Sequence, residues 1–151
     1  MSEPLIKQII RGIDVSDFDP TPYTDPNVIR PLPKQEEFLL SHNNAQITFY
    51  GGSAGSAKTI GLMYDVFQHV HDPNFECIFF RRTTKQLRGA GGLWGKCSTL
   101  YKKIGATAKE VEMKITFPSG ATARFSHLEH DKDAQDNHQG LEYSAVKLCG
   151  L

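Results

Sequence analysis

Cysteine is scarce in this 151-residue chain: Cys77, Cys97 and Cys149 are odd in number, far apart and without a C-x-x-C spacing. That excludes a disulfide framework and a thiolate zinc module, and points to free thiols in a reducing, cytoplasmic setting. An excess of charge of either sign is also missing, since Lys+Arg and Asp+Glu are both 17. Composition therefore provides no strong positive field with which this segment would grip DNA by itself. Apolar runs stay far short of the roughly 20 residues that a membrane-spanning helix needs, and Met1-Ser2-Glu3-Pro4 does not read as a secretory leader. What is left is one domain's worth of chain, long enough to bury a core.

One stretch organises the rest: Gly51-Gly52-Ser53-Ala54-Gly55-Ser56-Ala57-Lys58-Thr59. The apolar segment Ile47-Thr48-Phe49-Tyr50 before it reads as a strand, and Ile60, Met63, Phe67 and Val70 after it recur at helical spacing. Strand, glycine-rich turn and helix in succession are what a phosphate-binding loop requires. Backbone N–H groups from Gly52, Ser53, Ala54, Gly55, Ser56 and Ala57 would point inward at a polyphosphate, and the helix would add a partial positive charge. Lys58 would reach the terminal phosphates as a point charge, and the Thr59 hydroxyl would hold a magnesium ion. The consensus G-x-x-x-x-G-K-[ST] has glycine where Ala57 stands. Alanine fits if that position already has helical dihedrals, as expected with Lys58 and Thr59 on the first turn; at positive φ it would cost roughly 1–2 kcal/mol. The plainer alternative is that Gly and Ser only punctuate a strand-to-helix loop.

Residues 1–32 read as an arm, extended or disordered, because Asp17, Asp19, Pro20, Pro22, Asp25, Pro26 and Pro31 leave little room for regular structure. Residues 5–13 fit a short helix. Pro33-Lys34-Gln35-Glu36-Glu37-Phe38-Leu39-Leu40 then has proline where a first helical turn accepts it and an apolar face behind. Gln35 there can offer one donor and one acceptor to an adenine edge; it fits an ordinary exposed helix position equally well. Phe75 to Phe80 reads as a parallel strand buried on both faces, running into Arg81 and Arg82 at its carboxyl end. Ligands lie at that end of open α/β sheets, so one of the two arginines, not both, is expected to meet a γ-phosphate or a neighbouring subunit's nucleotide. A solvated strand end is the alternative.

Residues 85–92, with Gly89, Gly91 and Gly92, read as a mobile loop carrying Arg88. Leu93, Cys97, Leu100 and Ile104 follow at helical spacing, with Trp94 and Tyr101 as core and Gly105 as a stop. Met113, Ile115 and Phe117 alternate, Pro118-Ser119-Gly120 turns the chain, and Ala121, Ala123 and Phe125 alternate again, which predicts a hairpin. His127, His130 and His138 lie among acids, but without the regular spacing of a zinc site.

Taken in order, Pro33 to Leu39, the loop to Thr59, Phe80-Arg81-Arg82-Thr83, Ile115-Thr116-Phe117-Pro118-Ser119-Gly120, Phe125-Ser126-His127-Leu128 and Gln139-Gly140-Leu141-Glu142-Tyr143 resemble the large terminase subunit of tailed bacteriophages. The resemblance runs from about residue 30 to Val146. It implies the amino-terminal ATPase of a two-part DNA-packaging machine: a P-loop α/β fold with a parallel-sheet core flanked by helices and a β-hairpin insertion, spanning residues 33–151 and incomplete. It implies ATP and Mg²⁺ as ligands, the adenine-reading role on Gln35, and a family arginine at Arg81 or Arg82. For the intact protein it implies double-stranded DNA, the portal and the small terminase subunit as partners, a homo-oligomeric ring, and the cytoplasm of the infected bacterial host.

The family's next strand closes with an aspartate that supports magnesium and a glutamate that polarises water, and the register places these on Cys149 and Gly150. A thiol is a poor magnesium ligand and glycine has no base, so binding is expected to survive better than hydrolysis. With the nuclease half also missing, an interrupted coding sequence, such as a gene split by an intron, is expected, or else a frameshift or a cut chain, and the residues do not decide among these. A truncated, non-enzymatic module that binds the small subunit or the portal is the alternative function; a complete small P-loop kinase is a third.

Overall fold

The computed structural model describes residues 31–51, 58–129 and 138–150, which fall in two compact units, Met1–Gln68 and His69–Leu151. The expected arm over 1–32, save its last two residues, and the helix over 5–13 lie outside the described residues. So do Gly52, Ser53, Ala54, Gly55, Ser56 and Ala57.

The first unit contains helix α1 (Pro33–Leu40), a 3₁₀ turn (Ser41–Asn43) and helix α2 (Lys58–Phe67). Proline opens α1, where its missing N–H has no intrahelical acceptor to lose. The Gln68 carboxamide ties the two helices at one end, donating to Leu39 O and to Asp65 Oδ1, both at 3.0 Å. Phe38 and Tyr50 stack with centroids 5.1 Å apart. Residues 47–50, expected as a strand, pair with no strand among the described residues, and Ile47 and Phe49 are exposed. Apolar, β-prone side chains do not make a strand where no partner satisfies the backbone.

The second unit is built on a five-stranded sheet in the order β2-β3-β4-β1-β5, with β1 (Glu76–Arg81), β2 (Thr107–Lys109), β3 (Lys114–Thr116), β4 (Thr122–His127) and β5 (Ala145–Leu148). The parallel core expected from the sequence is there as β4-β1-β5, but β3 and β2 continue it antiparallel, so the sheet is mixed. β1 is the strand with a parallel neighbour on each side, and Cys77, Ile78, Phe79 and Phe80 are all buried, as the unbroken apolar run predicts. The predicted hairpin is β3–β4: Gly120 N–H donates to Phe117 O across Pro118 and Ser119, and Phe117 N–H donates to Ala121 O.

Helices α3 (Thr84–Arg88) and α4 (Leu93–Lys102) also belong to this unit. α3 corrects the mobile loop expected over 85–92. The Thr83 side chain caps it by accepting from Gln86 N–H, and the buried Leu87 anchors it. α4 follows its predicted spacing, with Trp94 and Tyr101 in the core. The Phe79 and Phe125 rings stack at 5.2 Å, Trp94 meets Phe125 edge-on at 5.2 Å, and Tyr101 meets Phe117 edge-on at 5.1 Å. These contacts place α4 over the face of the sheet that carries Cys77, Phe79, Ala123 and Phe125.

β5 ends the sheet, and its Val146 and Leu148 are 55% and 54% exposed. A sheet edge with apolar side chains is a template for self-association. Gel filtration is therefore expected to show an elution volume that depends on concentration, with Val146→Lys moving the protein toward monomer. Phe79→Ala removes a fully buried ring from the centre of the sheet and is expected to lower unfolding stability by about 3–5 kcal/mol in urea titration.

Candidate functional site

In the first unit, Lys58 and Thr59 form the first turn of the ten-residue helix α2, the placement their spacing predicts, and both are half-buried. The opening of a helix of this length concentrates unsatisfied N–H groups and positive partial charge. Gln35 is 2% exposed rather than projecting into solvent. Its Oε1 accepts the Leu32 N–H at 2.8 Å, while Leu32 O accepts from Gln35 N–H at 2.8 Å and Glu36 N–H at 3.0 Å. That reciprocal pair fixes the carboxamide at the start of α1.

Gly61, two residues beyond Thr59, explains how Gln35 reaches the neighbourhood of α2. A Cβ at position 61 would lie 3.0 Å from the Tyr50 ring and 3.7 Å from Gln35 Cγ. The absence of a side chain lets α2 press against both. Gln35, Tyr50 and the start of α2 are thus brought together, although nothing in the spacing of Gly61 marked it as more than a helix interior glycine.

In the second unit the carboxyl ends of β4, β1 and β5 lie side by side. Arg81 is in register with His127, and Cys149 N–H donates to Phe80 O at 2.9 Å, which sets Cys149 and Gly150 on the other flank of Arg81. Arg81 is half-buried and Arg82 exposed, so the two arginines, of which one and not both is expected from the sequence to meet a phosphate, occupy different environments. Gly150 has φ +63°, and a Cβ there would run into the Arg81 guanidinium. His127 Nδ1 is sealed from solvent without a hydrogen-bond partner among the described residues.

Two loops at this end are stapled by Glu129, whose Oε2 accepts from the Thr84 backbone N–H at 3.2 Å and the Thr84 hydroxyl at 3.1 Å. Burial pushes the Cys149 thiol up to about 11, against the opposing pull of Arg81 and Lys147. Burial, with the Cys149 and Cys77 thiols nearby, raises Cys97 as well. These are neutral thiols at ordinary pH, neither nucleophiles nor ready metal ligands. Lys147 is buried two residues before Cys149, on the same side of β5 by strand alternation.

No curated protein and no solved structure matches the chain. Among protein families, the one described as terminase large subunit, T4likevirus-type, N-terminal, matches residues 49–147. That span holds α2, strands β1 to β4 and all of β5 but Leu148, and covers well over half of the sequence; Gln35, Cys149 and Gly150 lie outside it. The chain belongs to the T4likevirus-type family of large terminase subunits, the proteins of phage DNA packaging, and corresponds to their amino-terminal part.

Proposed function

We propose that this chain binds ATP with Mg²⁺ through the loop ending at Thr59 and hydrolyses it very slowly, as the nucleotide-binding part of a phage DNA-packaging motor. The observation that carries the reading is the position of Lys58 and Thr59 on the opening turn of α2, inside the segment that matches the terminase family. The helix terminus and the Lys58 ammonium favour a polyphosphate there, and the Thr59 hydroxyl is the oxygen donor for magnesium. Gln35, oriented by Leu32, is the residue to read the adenine edge. Bound ATP–Mg²⁺ would supply a phosphoryl group whose transfer depends on positioning and on charge stabilisation.

Hydrolysis is the weak step because of what stands at the end of β5. Cys149 offers a buried, protonated thiol, and Gly150 offers no side chain to orient water. Arg82, the exposed arginine, suits contact with a neighbouring subunit's nucleotide in a ring. Arg81 is engaged against the backbone at Gly150. In the intact protein, ATP-driven movement of double-stranded DNA would be worked with the portal and the small terminase subunit. The same two residues favour, as a second reading, a chain that acts by binding the small subunit or the portal without turnover.

Titration with a fluorescent ATP analogue in the presence of Mg²⁺ tests the binding. Lys58→Ala is expected to weaken it at least about tenfold, a loss of about 1.4 kcal/mol; equal binding by the two proteins would remove the nucleotide assignment. Phosphate release from the wild-type chain alone is expected to stay far below about 1 s⁻¹, and turnover at that rate would contradict the roles given to Cys149 and Gly150.

A further inference from the structure

On the sheet face opposite α4, residues Ser126 of β4, Phe80 of β1 and Leu148 of β5 lie in one row across the strands. His138 sits on this row. Its Nε2 is 3.1 Å from Ser126 Oγ, its Nδ1 is 3.2 Å from Tyr143 Oη, and its ring meets Phe80 edge-on with centroids 5.1 Å apart. One imidazole therefore reaches from β4, over β1, to the segment that leads directly into β5. Beside its ladder with β1, β5 is anchored at its start by Ser144, whose N–H donates to Glu76 O at 2.7 Å and whose Oγ accepts from Glu76 N–H at 3.3 Å.

We propose that His138 is a proton-sensitive tie that holds β5 on the sheet when neutral and loosens it when protonated. Both hydroxyls can accept as well as donate, so the neutral form is favoured by the packing of the ring on Phe80 and by the nearby Arg124 and not by the hydrogen bonds themselves. Among the described residues, the charged group that faces it is Arg124 of β4, whose Nε lies 2.5 Å from Glu76 Oε1 of β1, and the titratable Tyr143 hydroxyl faces it from its own segment. An imidazolium here would be partly desolvated against Phe80 and would stand near the Arg124 guanidinium. Both effects, burial first, hold the histidine below its ordinary value, and burial raises Tyr143.

A histidine lowered in the folded state binds its proton first in the unfolded or detached state. The tie is therefore at full strength above the ordinary histidine value near 6.5 and weakens as pH falls below it, down to the lowered folded value. The affected strand leads directly into Cys149 and Gly150, so acid would loosen one flank of the Arg81 row while leaving the β3–β4 hairpin in place. The proposal is independent of nucleotide binding.

Amide hydrogen exchange on the full chain at pH 7.5 and 5.5, corrected for intrinsic exchange, tests it. Protection at residues 145–149 is expected to fall at the lower pH while protection at 122–127 is kept, and His138→Phe, which retains the ring over Phe80, is expected to abolish the difference. An equal acid response in wild type and variant would overturn the proposal. Should the variant not fold, imidazole NMR of the wild-type chain decides: titration of His138 below the ordinary histidine value supports the tie, and titration at or above it overturns it.

Discussion

Strand β1 is hydrogen-bonded on both sides, in register with β4 from Glu76 to Arg81 and with β5 from Cys77 to Phe80. Because side chains alternate, a slip of one residue would bring Ile78 and Phe80 to the face now held by Cys77 and Phe79 and would break the stack of Phe79 on Phe125. The register is thus set by apolar packing on both faces. Its chemical result appears at the carboxyl ends, where His127, Arg81 and Cys149 arrive side by side only because the strands below them are locked. The placement of these strand-end residues thus depends on the packing of the strands beneath them.

The two units contribute different chemistry. The first presents the opening turn of α2, a place suited to anions, with Gln35 held close by its own backbone bond. The second presents cationic strand ends beside neutral, buried thiols, and its Glu129 carboxylate is bonded to Thr84 as a structural staple. Among the described residues, this sheet end carries Arg81 and Arg82, with a thiol at position 149 and no side chain at position 150.

Local patterns were the legible part. The apolar run of β1, the helical spacing of α2 and α4, and the Pro118-Ser119-Gly120 turn each encode structure within a few residues, and each was recovered. β2 was not, because Thr107-Ala108-Lys109 has no apolar alternation and becomes a strand only through its pairing with β3. α3 was missed because the glycines after it outweighed the Thr83 cap and the single anchor Leu87. Residues 47–50 erred the other way, with strand-like side chains but no partner among the described residues. In the site, the offset of Lys58 and Thr59 was readable from the loop spacing, whereas the contacts of Gly61 with Tyr50, of Gly150 with Arg81 and of His138 with Ser126 arise from tertiary placement that no short spacing contains.

The conformation at Gly150 bears on which side chain that position could accept. Its left-handed φ of +63° makes the position a backbone obstacle, and the Arg81 guanidinium occupies the space that a Cβ would take. A glutamate introduced there by a single codon change would meet unfavourable dihedrals, roughly 1–2 kcal/mol, and would find its nearest partner in Arg81 instead of a water molecule. Seating any side chain there would therefore need the peptide after Leu148 to rotate and the arginine to swing aside, so that backbone and guanidinium would have to move together.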